Sequence, residues 1–177
     1  MKRFHLLLIL AILSVLPACN RNNPTPRPAA PKNYAAAYLT PHGKCYDSIE
    51  ANVLSLDLYS DGLTLDSAHH MQGTGYNLYL SDIFVSDAEL TAGTYRSDST
   101  GALFSFLPGR DFGGMPSGAY LLTINEGALA GIQLLDSGTM IVRDTLDGEV
   151  ALHFTLYHDG EPYETHYTGT LLTDKDE

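Results

Sequence analysis

Two histidines and a glutamate near the carboxyl end of the chain have the residue types and the spacing of a metal site. Alternating apolar residues predict two strands that are joined by a type I′ turn at Asp159-Gly160. This register places His153 opposite His166, with Glu164 diagonally beside them on the outward face. Imidazole nitrogens and a carboxylate oxygen can hold a divalent metal. The alternative is a pair of solvated histidines, because a metal site usually needs a further ligand and supporting groups.

Tyrosines on outward strand faces are a second set of candidate binding residues. The chain contains 11 Tyr and no Trp. Alternation places Tyr76, Tyr163 and Tyr167 in the core, whereas Tyr79 and Tyr157 fall on the opposite faces of their strands. We therefore predict that Tyr79 and Tyr157 contact a ligand, such as the face of a carbohydrate ring. The alternative is ordinary cross-strand packing of aromatic side chains.

The sequence contains none of the local signatures of the common catalytic sites. It has no Gly-x-Ser-x-Gly elbow, no phosphate-binding loop, no His-Glu-x-x-His and no paired cysteines. No spacing among its 21 acidic residues nominates a carboxylate pair for glycoside hydrolysis. We therefore expect a protein that is not an enzyme and has no cofactor, with a metal-dependent or hydrolytic enzyme as an alternative.

The charge of the chain excludes one class of partner. Asp and Glu number 21 and Lys and Arg number 10, so the formal net charge is −11. Nucleic-acid binding depends on clustered Lys and Arg that contact phosphates. We therefore predict that the protein does not bind nucleic acid.

Apolar residues recur with a period of two through most of the chain, which is the pattern of half-buried strands. No window longer than two turns shows a helical stripe. Short strands at this spacing predict an all-β domain, either an antiparallel sandwich or a calycin-like up-and-down barrel of nine or ten strands, mostly in meander order. The predicted strands cover residues 53–59, 63–65, 75–85, 94–95, 103–107, 119–124, 139–143, 150–157 and 163–172.

Two segments depart from this pattern. Residues 34–39 (Tyr-Ala-Ala-Ala-Tyr-Leu) are predicted to form one or two helical turns that Pro41 and Gly43 end. Residues 108–118 contain four glycines and two prolines, which predicts a long loop. That loop is either a loose connector or a lid over a binding surface.

The N-terminus resembles the signal peptide of a bacterial lipoprotein. Lys2 and Arg3 precede an apolar run over residues 6–13, and small residues lead to Cys19, as in a lipobox. The run is shorter than the ~20 residues that span a bilayer, so we expect it to be removed. The resemblance implies that residues 1–18 are a signal peptide. It also implies that Cys19 becomes an N-terminus that carries fatty acids such as palmitate.

The remainder of the chain divides into a tether and one domain. Residues 19–33 contain four prolines and no apolar periodicity, so they predict an extended spacer. Residues 34–177 are predicted to form a single antiparallel β domain. Asn20 after the lipidated cysteine resembles the sorting signal of outer-membrane lipoproteins, and the arginines that follow favour the periplasmic side.

Repeated Gly-containing tetrapeptides open several of the predicted strands, and they resemble the small all-β lipoproteins of Bacteroidota. The resemblance implies no activity, because that group has none that is settled. We expect an exported lipoprotein that is a non-catalytic binding or envelope-structural domain, with a carbohydrate, a small apolar ligand or another envelope protein as partner. The alternatives are a barrel that carries an apolar ligand, an enzyme and a fimbria-like assembly subunit. The tetrapeptides are Ala92-Gly93-Thr94-Tyr95, Ser117-Gly118-Ala119-Tyr120 and Ser137-Gly138-Thr139-Met140.

Overall fold

The structure is a computed structural model that describes residues 30–144 and 149–173. Within these ranges the chain forms strands and no helix, so the all-β prediction is confirmed. The strands are β1 (Ala36–Gly43), β2 (Asn52–Tyr59), β3 (Leu63–Leu65), β4 (Met71–Gly73), β5 (Gly75–Val85), β6 (Gly93–Ser97), β7 (Ser105–Phe106), β8 (Arg110–Phe112), β9 (Met115–Ser117), β10 (Ala119–Asn125), β11 (Ala128–Leu134), β12 (Ser137–Asp144), β13 (Val150–His158) and β14 (Glu161–Gly169).

Ten of these strands form one large curled sheet of half-barrel shape. Its order is β1-β2-β5-β7-β6-β12-β13-β14, and β10 pairs with both β5 and β11. All of its neighbouring strands are antiparallel except β6 and β7, which run parallel. The hairpins β3–β4 and β8–β9 form two further sheets of two strands each.

Backbone hydrogen bonds join the two ends of this curled sheet. The His166 carbonyl accepts the Tyr34 N–H at 3.0 Å, and the His166 N–H donates to the Lys32 carbonyl at 3.1 Å. Further along, Leu172 exchanges two such bonds with Ala37 and Leu39. The segment before and within β1 therefore runs along β14, and the sheet curls round on itself.

The concave side of the sheet encloses one apolar core. Its fully buried residues include Leu56 and Leu58 of β2, Leu78 and Leu80 of β5, and Leu152 of β13. Burial of side chains of this size contributes about 1.5–3 kcal/mol each. The alternating leucines of β2 thus face the core, and side chains from most strands of the sheet fill the interior.

The sheet also buries apolar residues on part of its convex side. The hairpin β3–β4 folds over this side, so that Leu63 packs with Tyr59 and Ile124 in a second cluster. Strand β2 is consequently buried on both faces over much of its length. The polar and aromatic residues described below lie on the convex side, between this hairpin and the segment after β1.

Two predictions about local structure are wrong. Residues 36–43 form strand β1 instead of helical turns, because their backbone pairs with β2 and with Leu172, and tertiary pairing overrides the helical preference of alanine. The predicted loop over residues 108–118 contains the hairpin β8–β9. The Asp111 carboxylate accepts the Gly114 N–H at 2.7 Å and so closes its turn.

Candidate functional site

Tyrosines from four strands line up across the convex side of the sheet. Tyr38 of β1 pairs with Asp57 of β2, Asp57 pairs with Tyr79 of β5, and Tyr79 pairs with Tyr120 of β10. Since side chains directly opposite on neighbouring strands share a face, these four form one row. Tyr59, two residues beyond Asp57, lies on the same face. We call these five residues the tyrosine face.

The alternation of β2 and β5 explains why these residues point outward. Leu56 and Leu58 flank Asp57 in sequence and are fully buried in the core, as are Leu78 and Leu80 on either side of Tyr79. In a strand, successive side chains point to opposite faces of the sheet. The leucines therefore fix the orientation of Asp57 and of Tyr79.

Asp57 is a carboxylate that tyrosine rings largely remove from water. Its Oδ1 accepts a hydrogen bond from Asn77 Nδ2 at 3.2 Å and one from the Tyr59 hydroxyl at 3.4 Å. Burial raises the pKa of Asp57 to about 6, against the weaker opposing effect of these two hydrogen bonds. Its Oδ2 accepts no hydrogen bond from the residues that the structure describes.

The rings around Asp57 pack in two pairs. Tyr79 and Tyr120 have ring centroids 5.1 Å apart, and Tyr38 meets Tyr59 edge to face at 5.7 Å. Burial also raises the pKa of Tyr59, Tyr79 and Tyr120. All three hydroxyls therefore remain neutral hydrogen-bonding groups at ordinary pH.

A serine and a histidine border the tyrosine face on the side away from the β3–β4 hairpin. His42 Nε2 lies 3.0 Å from the Ser55 hydroxyl, and Ser55 opposes the effect of burial on the pKa of Tyr79. The result is a surface of aromatic rings and polar groups around one carboxylate. Such a surface can stack on and hydrogen-bond to a small ligand. Ser55 and His42 have the spacing of a nucleophile and its base, but the Ser55 side chain is buried.

Of the two predicted ligand contacts, the structure brings one into this site. Tyr79 lies at the centre of the row and is half-buried. Tyr157 lies on β13 between Ser137 and Pro162 of its neighbouring strands and is exposed, away from the other aromatic rings that pair on the convex side. Sequence reasoning did not identify Asp57, although one acidic residue in an otherwise apolar alternating strand is a signal that could have been used.

The histidine pair forms in the predicted register. His153 lies opposite His166, with ring centroids 6.0 Å apart and an interplanar angle of 24°. The His166 backbone bonds to Lys32 and Tyr34 instead of β13, so the two histidines form a non-hydrogen-bonded pair, in which side chains approach more closely. The Asp159-Gly160 turn has φ of 51° and 80°, as type I′ requires.

This pair lacks the rest of a metal site. Both rings and Glu164 are exposed in an open cleft of about 410 Å³, which the positively charged Lys32 also lines. In the described ranges, no three His, Cys, Asp or Glu side chains are grouped so that they could hold a metal ion. The metal hypothesis therefore rests on two imidazoles alone.

A further cleft lies at one end of the half-barrel. It has a volume of about 630 Å³ and is lined by the chain before β1 and by the ends of β2 and β5. The Tyr34 hydroxyl at its wall is 2.6 Å from the Tyr163 hydroxyl and is engaged there. Lys32, Asp61 and Ser60 also line it, so the cleft presents side chains of both charges.

The predicted lipidation site, Cys19, lies outside the described residues. Between residues 30 and 173, apart from 145–148, no helix has the length and hydropathy to cross a membrane. The fold is thus all-β, with a half-barrel sheet and a convex tyrosine face. Comparisons of the chain with protein-family models, with curated proteins and with solved structures found no match.

Proposed function

We propose that this chain is an exported bacterial lipoprotein whose β domain binds a small ligand on the tyrosine face and does not catalyse a reaction. The binding role rests on Asp57, a half-buried carboxylate that lies among aromatic rings. Its Oδ2 accepts no hydrogen bond from the described residues. A desolvated charge lowers stability unless something compensates it. Groups of this kind cluster at functional sites.

The binding role can be tested with tyrosine fluorescence, because the chain contains 11 Tyr and no Trp that would mask their emission. A panel of saccharides, amines and carboxylates should include a ligand that changes the emission of the parent protein. Tyr79→Ala should weaken that response, and Tyr157→Ala, a remote exposed tyrosine, is the matched control. Equal loss in both variants, or loss in neither, would contradict binding at the tyrosine face.

The anchoring role rests on the lipobox-like N-terminus alone. Cys19 is proposed to carry the lipid, and the proline-rich segment after it to hold the domain away from the outer membrane on its periplasmic side. Mass spectrometry of the protein from a producing cell should show a diacylglyceryl and acyl adduct on Cys19. Cys19→Ser should leave residues 1–18 attached or release the protein from the membrane fraction. An unmodified mature N-terminus in the parent protein would end this proposal.

The interior of the half-barrel gives less support to a carrier of apolar ligands. The core there is closed by buried side chains such as Tyr95, Phe106 and Met140. An apolar ligand needs a cavity of several hundred cubic ångströms. The convex side is therefore the better-supported location for binding.

An assembly role is the second candidate, because one edge of β11 is only partly paired. Among the described strands β11 pairs with β10 alone, and on its other edge the Leu134 carbonyl lies 2.6 Å from His158 Nδ1. Leu135 N–H donates to the Ala119 carbonyl, and in this antiparallel ladder Gln133 and Gly131 then also bond to β10. The N–H and C=O of Ile132 consequently point away from β10, where an added strand would pair.

The strand that we propose for this edge is β11 of a second copy. Residues 128–134 (Ala-Leu-Ala-Gly-Ile-Gln-Leu) contain no charge in a chain of net charge −11, so antiparallel self-pairing brings no like charges into register. Light scattering should show a dimer that Ile132→Lys converts to a monomer. Gln133→Lys, on a residue that bonds to β10, is the matched control. A monomeric parent protein at high concentration would exclude this candidate.

A further inference from the structure

We propose that the ligand of the tyrosine face is a small organic ammonium ion, held between the rings of Tyr38 and Tyr79 and against Asp57. This inference rests on the proposed binding function and adds the chemical class of the ligand to it. Three features of the tyrosine face point to a cation: the spacing of the two tyrosines beside Asp57, the unbalanced charge of Asp57, and the aromatic rings around it.

Strand pairing sets the spacing of the tyrosines on either side of the carboxylate. Asp57, a short side chain, pairs with Tyr38 on β1 and with Tyr79 on β5. Neighbouring strands lie about 4.8 Å apart, so the backbones that carry these two tyrosines are roughly 10 Å apart. Cation–π attraction acts when the cation is within about 6 Å of a ring centroid. A methylated ammonium above Asp57 would therefore lie within reach of both tyrosines.

The tyrosine face carries a negative charge, on Asp57, that no described residue balances. No described Lys, Arg or His forms an ion pair with Asp57, and no charged neighbour contributes to the behaviour of its carboxyl group. The Lys that lies nearest in sequence to β1, Lys44, is engaged with Glu50 at 2.7 Å. A cationic ligand would supply the missing charge.

A neutral ligand would satisfy the face less well. Hydroxyl groups of a sugar could bond to the tyrosines, but the ionised Asp57 would remain without a counter-charge. Aromatic rings attract cations through the negative face of their π system, and this is the usual means of binding quaternary ammonium groups. Rings and carboxylate together therefore favour an ammonium ion over a carbohydrate.

Ionisation of Asp57 couples binding to pH. Because its pKa is raised to about 6, Asp57 is charged at pH 8 and mostly neutral at pH 5. Affinity for an ammonium ion should therefore be about tenfold lower at pH 5 than at pH 8. The titratable groups around this carboxylate are the four tyrosines of the tyrosine face, Tyr38, Tyr59, Tyr79 and Tyr120. His42 and Asp82 lie further away.

The test compares a cation with its neutral isostere. Choline and 3,3-dimethylbutan-1-ol have nearly the same shape, and only choline is charged. Calorimetric titration of the purified protein at pH 8 should show binding of choline and not of the alcohol. Asp57→Asn should weaken choline binding about tenfold or more. Asp87→Asn removes one negative charge from another part of the surface and should leave choline binding unchanged.

Ring substitutions separate the aromatic contribution from the hydroxyl contribution. Tyr79→Phe keeps the ring and should bind choline with similar affinity, whereas Tyr79→Ala should bind about fivefold more weakly. Vesicles of phosphatidylethanolamine form a further arm, because the same ammonium chemistry is present in that lipid headgroup. Capture by these vesicles without any choline binding would identify the membrane-bound amine as the source.

The outcomes distinguish this inference from the function on which it rests. If a saccharide or the neutral alcohol binds and Tyr79→Ala abolishes that binding, the ammonium class is wrong and the binding function stands. If neither ammonium source binds the parent protein, the inference is overturned. If choline binds equally to the parent protein and to Asp57→Asn, the site is not the one proposed.

Discussion

Replacing Asp57 with Asn should stabilise the protein at neutral and alkaline pH. Asn keeps an Oδ1 that can accept the hydrogen bonds from Asn77 and Tyr59, and it removes the charge. The pKa of Asp57 is raised from 3.8 to about 6. Two pKa units correspond to about 3 kcal/mol of free energy of unfolding. The substitution should therefore raise this free energy by about 2–3 kcal/mol at pH 8.

The sign of this effect reverses the usual pattern for a carboxylate. Well below pH 3.8 the carboxyl group is protonated in both the folded and the unfolded chain, so the folded state has its full stability. As the pH rises from 4 to 7 the unfolded chain ionises first, and the folded state binds more protons than the unfolded state. The contribution of Asp57 is then lost as the pH passes through its folded pKa of about 6.

Urea denaturation at pH 4, 6 and 8, monitored by circular dichroism, measures this effect. The difference between Asp57→Asn and the parent protein should be small at pH 4, about 0.5 kcal/mol, and reach its full value by pH 8. Asp66→Asn is a control of opposite sign, because hydrogen bonds from the His70 and Ala68 N–H groups lower the pKa of Asp66. A pH-independent loss of stability in Asp57→Asn would refute the argument that this carboxylate is desolvated.

Two other predictions concern a glycine and the histidine pair. Gly118 and Gly113 both have positive φ, +76° and +66°, but a Cβ at Gly118 would collide with the Pro108 carbonyl, whereas a Cβ at Gly113 would meet nothing. Gly113→Ala should therefore lower the free energy of unfolding by about 1 kcal/mol. Gly118→Ala should lower it by clearly more in the same urea titration. Equal losses would mean that the close approach at Gly118 relaxes freely. Because His153 and His166 lack a third ligand, elemental analysis should find no stoichiometric metal in the purified protein, and a metal that His166→Ala removes would contradict this.

Strand register predicted from the sequence placed the two histidines opposite each other, but it could not predict the tyrosine face. His153 and His166 lie on strands joined by a two-residue turn, so turn geometry and alternation determine which residues oppose each other. Asp57 and Tyr79 lie on strands that are separated by the β3–β4 hairpin and pair with a register shift between Leu54 and Leu56. No local rule predicts such a pairing from the sequence.

The missed strands have a related cause. Residues 35–37 are three consecutive alanines at the start of β1, and β11 combines small residues with Gly131, so neither segment has the alternation of β-branched and aromatic residues that indicates a strand. Both become strands because a neighbour supplies hydrogen bonds, β2 for β1 and β10 for β11. Strand formation in these segments depends on tertiary contacts more than on intrinsic preference.

The sequence by itself determined the fold class, the core faces of the strongly alternating strands and the pairing of the last two strands. These follow from a period of two and from turn chemistry, which act between residues close in the chain. Only the tertiary structure brought β1, β2, β5 and β10 side by side, and with them Tyr38, Asp57, Tyr79 and Tyr120 into one row. The physical reason is that pairing between distant strands is selected by the packing of the whole core, which no single segment encodes.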